Sequence, residues 1–119
     1  MNWSAIGAAA LALAVAAGAF GAHGLRGRLD DYRMGIYERA VFYHFIHAIG
    51  LLVVPLLLRG SGAGRVCILL AGGIVLFSGS LYVLALSGVR ALGMITPFGG
   101  VAFIAAWVLL AFELFRHSR

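Results

Sequence analysis

The chain has no lysine, a single cysteine and few charged residues of either sign. Charged side chains make up 11% of its 119 residues, against about 25% in an ordinary soluble domain. Apolar residues make up 63%, and the mean hydropathy is +1.04. A short chain cannot cover so much apolar surface with polar groups, because small folded proteins leave a large share of their surface exposed. These scarcities exclude a soluble globular domain and indicate a protein that folds in lipid.

The lone cysteine and the arginines narrow the class of function further. Cys67 can form neither an internal disulfide nor a cysteine-based metal site within one chain. All nine basic residues are arginines, and they lie between and after apolar runs, where basic side chains meet lipid headgroups. We therefore expect a lipid bilayer as the partner of this chain, and no nucleic acid.

Four apolar runs follow one another, each near the roughly 20 residues that a helix needs to cross a bilayer. Helices are predicted over about residues 3–22, 36–58, 66–87 and 94–115. In hydrocarbon the backbone must satisfy its own hydrogen bonds, which favours helices, and short connections make neighbouring helices antiparallel. The prediction is an all-α integral membrane protein. Residues 1–119 form one transmembrane domain, with four antiparallel helices in an up-down bundle and both termini on one side.

The arginines divide almost evenly between the two ends of this bundle, so their positions alone leave its orientation open. Acidic residues count little in the rule that places basic loops in the cytoplasm. The end with the termini carries Arg59, Arg65, Arg116 and Arg119, and the other end carries Arg26, Arg28, Arg33, Arg39 and Arg90.

Small residues recur at helical spacing in three of the four runs. Membrane helices associate by close packing of such residues and by interhelical hydrogen bonds. We expect these small-residue faces to hold the bundle together and to support a homo-oligomer. The packing candidates are Ala10, Ala14 and Gly18 in the first run, Gly72 and Gly79 in the third, and Gly99 in the fourth.

"TPFGG" at the start of the fourth run is typical of a helix start. Pro97 costs nothing in the first turn, where its missing N–H would have no partner, and Thr96 is predicted to be the N-cap. Pro55 differs, because it lies inside the second run and removes a backbone hydrogen bond there.

Polar side chains interrupt the apolar runs, and side chains of this kind are expensive inside a membrane. His44 and His47 lie three residues apart and share a helix face. In an antiparallel hairpin His23 should approach the start of the second helix, near Glu38. The candidate polar cluster consists of His23, Glu38, Tyr43, His44, His47, Ser78, Ser80, Tyr82 and Thr96.

Three interpretations of these polar residues stay open. In the first, neutral histidines hydrogen-bond across helices to hydroxyls or backbone carbonyls. In the second, histidine and Glu38 relay protons or line a path for a small solute. In the third, His23 with His44 or His47 ligates haem or a metal, although the chain lacks a carboxylate or cysteine at ligand spacing. No Ser/His/Asp set, phosphate loop or carboxylate pair is present, so we expect no enzyme, no metal and no cofactor.

Four stretches in order resemble one known family: "GAFGAHGL", "YHFIHAIGLL", "FSGSLYVLAL" and "ITPFGGVAFIAAW". The chain resembles domain-of-unknown-function family 423, small membrane proteins that include the transmembrane-protein-256-like proteins. The resemblance implies a compact four-helix protein of the bacterial inner membrane. The positions it implies as shared are His23, His47, Ser78, Ser80, Tyr82, Thr96, Pro97, Gly99, Gly100 and Trp107.

Two features of this resemblance bear on mechanism and topology. His44 stands where relatives carry a glutamine, which favours a hydrogen-bonding role over one that needs two titrating histidines. Relatives also carry more basic residues on the side of the termini, which favours cytoplasmic termini. The prediction from the sequence is a multi-pass inner-membrane protein, a structural or interaction component of unknown biochemical function. The alternative is a small transporter or channel for a proton or small solute, working as an oligomer.

Overall fold

The computed structural model describes residues 1–117 of the chain. Within them the chain forms four long helices and no strand: α1 (Trp3–Leu25), α2 (Asp31–Leu57), α3 (Ser61–Ser87) and α4 (Arg90–Arg116). Each helix is long and apolar enough to cross a membrane. The predicted fold class, an all-α membrane protein with four spanning helices, is confirmed.

Three of the helices begin earlier than the hydropathy pattern predicts. The helix α2 begins at Asp31 rather than near residue 36, because the Asp30 carboxylate accepts the Arg33 backbone N–H at 2.8 Å and caps the first turn. The helix α3 begins at Ser61 rather than 66, directly after Gly60, whose φ of 82° requires glycine. The polar and glycine-rich first turns of these helices have low hydropathy, so a hydropathy pattern does not detect them.

Two helices contain turns that are wider than an α-helix. The last turn of α1, Gly21–Leu25, is π-helical, and α3 has a π-helical segment at Ile74–Gly79. The helix α4 opens instead with the tighter 3₁₀ segment Arg90–Met94. A π-helical segment rotates the side chains that follow it relative to a regular helix. In α3 it lies directly before Ser80 and Tyr82, and so influences which neighbouring helix these residues face.

Glycines mark the closest approaches between helices. A Cβ on Gly7 of α1 would lie 2.5 Å from the backbone nitrogen of Leu52 in α2. A Cβ on Gly99 of α4 would overlap the backbone nitrogen of Phe77 in α3, and one on Gly73 would overlap the Phe103 ring. Backbones this close leave no room for a side chain.

The predicted packing residues divide into those at helix contacts and those that are not. In α1, Ala14 is fully buried, Ala10 is half-buried and Gly18 lies opposite Val41, so this face packs inside the bundle. In α3, a Cβ on Gly72 would meet nothing, and one on Gly79 would meet only an atom of its own helix. The close approach of α3 to α4 therefore occurs at Gly73, one residue away from the predicted Gly72.

The apolar core is divided into two clusters. One surrounds Leu51, Val66 and Leu110, towards the end of the bundle with the termini. The other surrounds Ile36, Tyr37 and Leu84, towards the opposite end. Between them, near the middle of the membrane span, lies a layer of buried polar side chains, which contains His44, His47, Ser78 and Ser80.

Candidate functional site

His44 joins α2 to α3 in the middle of this polar layer. Its Nδ1 lies 2.8 Å from the Tyr82 hydroxyl, and the two rings meet edge to face at 5.8 Å between centroids. The imidazole also lies against the backbone of Ala10 in α1. One buried side chain therefore contacts two neighbouring helices, and the hydroxyl of Tyr82 is satisfied within the protein.

Ser78 and Ser80 connect α3 to two different helices. The Ser78 hydroxyl donates to the backbone carbonyl of Ala40 in α2 at 2.8 Å and is fully buried. Ser80 Oγ lies 2.6 Å from Thr96 Oγ1 in α4 and also donates to the Phe77 carbonyl. These two hydroxyls, which are two residues apart in the chain, thus connect α3 to both α2 and α4.

Thr96 is not the N-cap that its sequence context predicts. The α-helical part of α4 begins at Thr96 itself, Ile95 occupies the cap position without a side-chain hydrogen bond, and Pro97 lies in the first turn. The Thr96 hydroxyl bonds to Ser80 instead. A preceding 3₁₀ segment supplies backbone hydrogen bonds at this helix start, so the side chain is free to act between helices.

His47 is held by its own helix and by an aromatic stack. Its Nδ1 lies 2.7 Å from the carbonyl of Tyr43 one turn earlier, so this nitrogen carries the proton and donates. The imidazole stacks on Phe103 of α4, with centroids 3.4 Å apart and planes 9° apart, and the Tyr43 ring lies parallel at 6.0 Å. The tautomer of a neutral His47 is therefore fixed, with its lone pair on Nε2.

The structure does not bring His23 or Glu38 to this layer. His23 lies in the π-helical end of α1 and is exposed, and Glu38 is exposed on α2. Glu38 instead lines a groove near the end of the bundle together with Arg26 and Tyr37. Ile36, Tyr37 and Ala40 form the buried face of α2 at this level, so Glu38 points away from the core and towards the membrane boundary.

Within residues 1–117, no three His, Cys, Asp or Glu side chains converge closely enough to hold a metal ion. His44 and His47 already use Nδ1 for Tyr82 and for the Tyr43 carbonyl. The layer is arranged for hydrogen bonding between helices.

Three polar contacts between helices were not predicted from the sequence. Arg33 donates from Nε to the Ala85 carbonyl at 2.6 Å and from Nη2 to the Leu86 carbonyl at 2.7 Å, and so caps the end of α3. Tyr37 donates to the Ala17 carbonyl at 2.5 Å, and Ser4 to the Leu52 carbonyl at 2.9 Å. An arginine shortly after an N-cap aspartate is only a weak sign of a contact between helices, since the same residues are equally common in a loop.

Glu113 is a buried acidic residue that sequence reasoning also missed. Its side chain is 4% exposed and lies so close to Gly62 of α3 that a Cβ there would overlap it. Arg116 donates to both carboxylate oxygens at 3.2 Å, and Arg65 lies 4.0 Å away. The carboxylate faces the first turn of α3, where a helix N-terminus favours negative charge. An acid in an apolar run with arginine three residues later was the available signal.

The comparison with protein families confirms the resemblance seen in the sequence. The family described as a protein of unknown function, DUF423, matches residues 17–100, from the second half of α1 to the start of α4. The chain belongs to the DUF423 family.

Curated relatives of this DUF423 chain are named membrane proteins. It is 49% identical to the UPF0382 membrane protein YwdK of Bacillus subtilis over 116 residues, 94% of each chain. It is 51% identical to a UPF0382 membrane protein of Staphylococcus epidermidis over 118 residues, 95% of this chain and 94% of the relative. A Staphylococcus haemolyticus relative is 44% identical over 93% of both chains. No solved structure matches the chain. The prediction of a membrane protein from a family of unknown function is therefore confirmed.

Proposed function

We propose that this DUF423 protein is a non-enzymatic component of the bacterial inner membrane, whose four helices are held in one register by buried hydrogen bonds. A single observation carries the proposal. Among residues 1–117, no fully buried side-chain nitrogen or oxygen lacks a hydrogen-bond partner. A polar network whose fully buried atoms all have partners within the protein makes the structure rigid and specifies one arrangement. A path for a proton or solute needs polar groups that can exchange partners with what passes.

The alternative proposal is transport of a proton or small solute through an oligomer. It needs a continuous line of polar groups from one membrane face to the other. His44, Ser78 and Ser80 lie in one layer, with apolar clusters on both sides of it. His23 and Glu38, which would extend a path towards one end, are exposed on the outside of the helices. The geometry favours the structural role.

We further propose that the protein forms a homo-oligomer and that its termini face the cytoplasm. The face of α1 with Ala10, Ala14 and Gly18 is used inside the bundle, so it does not serve an oligomer. The opposite face of α1 carries a line of exposed alanines, Ala5, Ala9, Ala12 and Ala16. Such a face permits close approach of a second helix. Ala12→Trp is expected to lower the mass of the detergent-solubilised protein measured by light scattering.

A flux assay tests the proposed function against transport. Purified protein is reconstituted into liposomes that contain a pH-sensitive dye, and a potassium gradient with valinomycin supplies the driving potential. The structural role predicts proton flux equal to that of empty vesicles, with gramicidin as the positive control. Flux above empty vesicles that disappears in His44→Leu would overturn the structural role and support transport.

A further inference from the structure

A lateral groove between α2 and α4 opens from the polar layer to the lipid. Its volume is about 460 Å³, within the range of small-molecule sites. Phe77 of α3 also lines it, and Phe42, Ile46, Ile104 and Trp107 at the groove are exposed on the outside of the bundle. His47 lies near the centre of α2, so the groove opens towards the middle of the bilayer.

Three residues that line this groove each carry a polar side-chain atom that has no hydrogen-bond partner among residues 1–117. These atoms are His47 Nε2, the Tyr43 hydroxyl and the Trp107 indole N–H. His47 is only 4% exposed, yet its Nε2 is not fully enclosed, since no fully buried polar atom of the described residues lacks a partner. His47 lines the groove, so an occupant of the groove lies beside this residue. In the hydrocarbon region a polar group without a partner is costly, so this site favours an occupant that bonds to it.

The residues that line the groove indicate the chemistry of the molecule that would occupy it. Among residues 1–117, no Arg, Asp or Glu lines the groove, so the lining favours a neutral occupant. The rings of Phe77, Phe103 and Trp107 favour a planar ring that can stack on them. The Nε2 lone pair accepts a hydrogen bond, whereas the Trp107 indole donates one. The exposed apolar rim provides a lateral exit for a hydrocarbon tail.

We propose that this groove binds a lipid-soluble quinol, with a ring hydroxyl donating to His47 Nε2 and the tail leaving sideways into the bilayer. A quinol combines the required features: a neutral planar ring, a hydroxyl donor, oxygen atoms that accept from Tyr43 or Trp107, and an apolar tail. The oxidised quinone lacks the hydroxyl proton and binds more weakly, because it cannot donate to Nε2. The proposal concerns binding alone.

The chain provides its own probe and internal reference. It contains two tryptophans, Trp107 in the groove and Trp3 near the start of α1. Protein labelled with ¹⁵N in nanodiscs is titrated, under anaerobic conditions, with a benzoquinol that carries a decyl tail. A saturable shift of the Trp107 indole resonance is expected, with Trp3 unmoved. Shifts of both resonances that grow without saturation would show partition into lipid only and would overturn the site.

Two matched variants separate a site from a general effect on the membrane. Gly100→Leu fills the groove, and its Cβ meets only the Phe77 ring at an ordinary distance of 3.8 Å. Gly72→Leu adds the same side chain where a Cβ would meet nothing. The saturable shift is expected to disappear in Gly100→Leu and to persist in Gly72→Leu. Persistence in folded Gly100→Leu would overturn the proposal.

His47→Phe tests the hydrogen bond while keeping a ring that can stack on Phe103. Loss of one bond is expected to weaken quinol binding about tenfold and to abolish the preference for quinol over quinone. Unchanged affinity in this variant would overturn the role of Nε2. If His47→Phe does not fold by circular dichroism, the quinol preference of the wild-type protein decides, since equal binding of both redox forms contradicts donation to Nε2.

Discussion

His44 and Tyr82 show what a single side chain contributes inside this bundle. Each is a polar group in a region without water, and each removes the cost of burying the other by forming a 2.8 Å hydrogen bond. Hydrogen bonds of this kind in membrane proteins contribute about 0.6 kcal/mol on average, and up to about 1.7 kcal/mol. At the scale of residues, several modest bonds rather than one strong bond stabilise the arrangement of the helices.

Arg33 is the residue at the edge of the bundle whose loss should matter most. Its guanidinium donates to two carbonyls at the end of α3, so Arg33→Met leaves both without that partner. We expect the free energy of unfolding to fall by about 1–2 kcal/mol, measured by denaturant titration in detergent with circular dichroism. Arg39→Met is the matched control, because Arg39 is exposed on the same helix, and it should change stability by less than about 0.5 kcal/mol. Equal effects of the two substitutions would contradict the capping role.

The residue types of the polar layer and the kind of partner could be predicted, but the individual pairs could not. The spacing of Ser78 and Tyr82 places them on one face of α3. In the structure both hydrogen-bond to α2, Ser78 to the Ala40 carbonyl and Tyr82 to His44. The separate face of Ser80 contacts α4. Arg33 was missed because its partners are backbone carbonyls at the end of α3, and a linear pattern carries no information on that pairing. Glu113 was missed although Arg116 follows it by three residues, because nothing in the sequence indicates its burial against Gly62 of α3.

Glycines determine where neighbouring helices of this bundle can bring their backbones into contact. The backbone of α1 comes close to that of α2 at Gly7, and the backbone of α4 comes close to that of α3 at Gly99. The two contacts lie at different levels of the bundle, so each fixes one pair of helices. Gly72 has no such contact, although its spacing from Gly79 in the sequence predicts a packing face.

Substitution of these glycines by alanine distinguishes contact from spacing. Gly7→Ala and Gly99→Ala place a Cβ against backbone that cannot move alone, and each should destabilise the protein by about 1–3 kcal/mol. Gly72→Ala should stabilise it by about 0.5–1 kcal/mol, because alanine is the better helix former and the site is open. Thermal unfolding in detergent measures all three variants. If the Gly72→Ala protein were as unstable as the Gly99→Ala protein, the effect of the substitution would depend on the spacing of glycines rather than on their contacts.

The helices themselves followed from hydropathy, whereas their starts and register did not. Charged and glycine-rich residues such as Asp31 and Ser61 are helical here because a cap or a positive-φ glycine precedes them. The π-helical segment Ile74–Gly79 could not be predicted, since its sequence fits a regular helix equally well.

The whole molecule is a bundle 53 Å long, with an apolar cluster towards each end and a polar layer between them. Composition alone determines that such a chain enters a membrane. Orientation depends on small differences between the two ends. Arg33 donates to neutral carbonyls at one end and keeps its charge, whereas Glu113 offsets one positive charge of Arg65 and Arg116 at the other, so the arginine count overstates the net charge at the end with the termini.

Reporter fusions give the orientation of the whole molecule directly. Green fluorescent protein and alkaline phosphatase are fused in turn after Arg119, and the same two reporters are placed after Gly88 in the α3–α4 connection. Cytoplasmic termini predict fluorescence without phosphatase activity at the C-terminus and the reverse at Gly88. Phosphatase activity at the C-terminus would reverse the proposed orientation.

The most direct test of the account is a double-mutant cycle on His44 and Tyr82, because it isolates their interaction across two helices. The free energy of unfolding is measured in detergent for the wild-type protein, His44→Leu, Tyr82→Phe and the double variant. If the buried polar layer locks the helices, the two substitutions are coupled by about 0.6–1.7 kcal/mol. Additive effects within about 0.3 kcal/mol would show that the bond contributes nothing, and would contradict the central claim that buried hydrogen bonds fix this bundle.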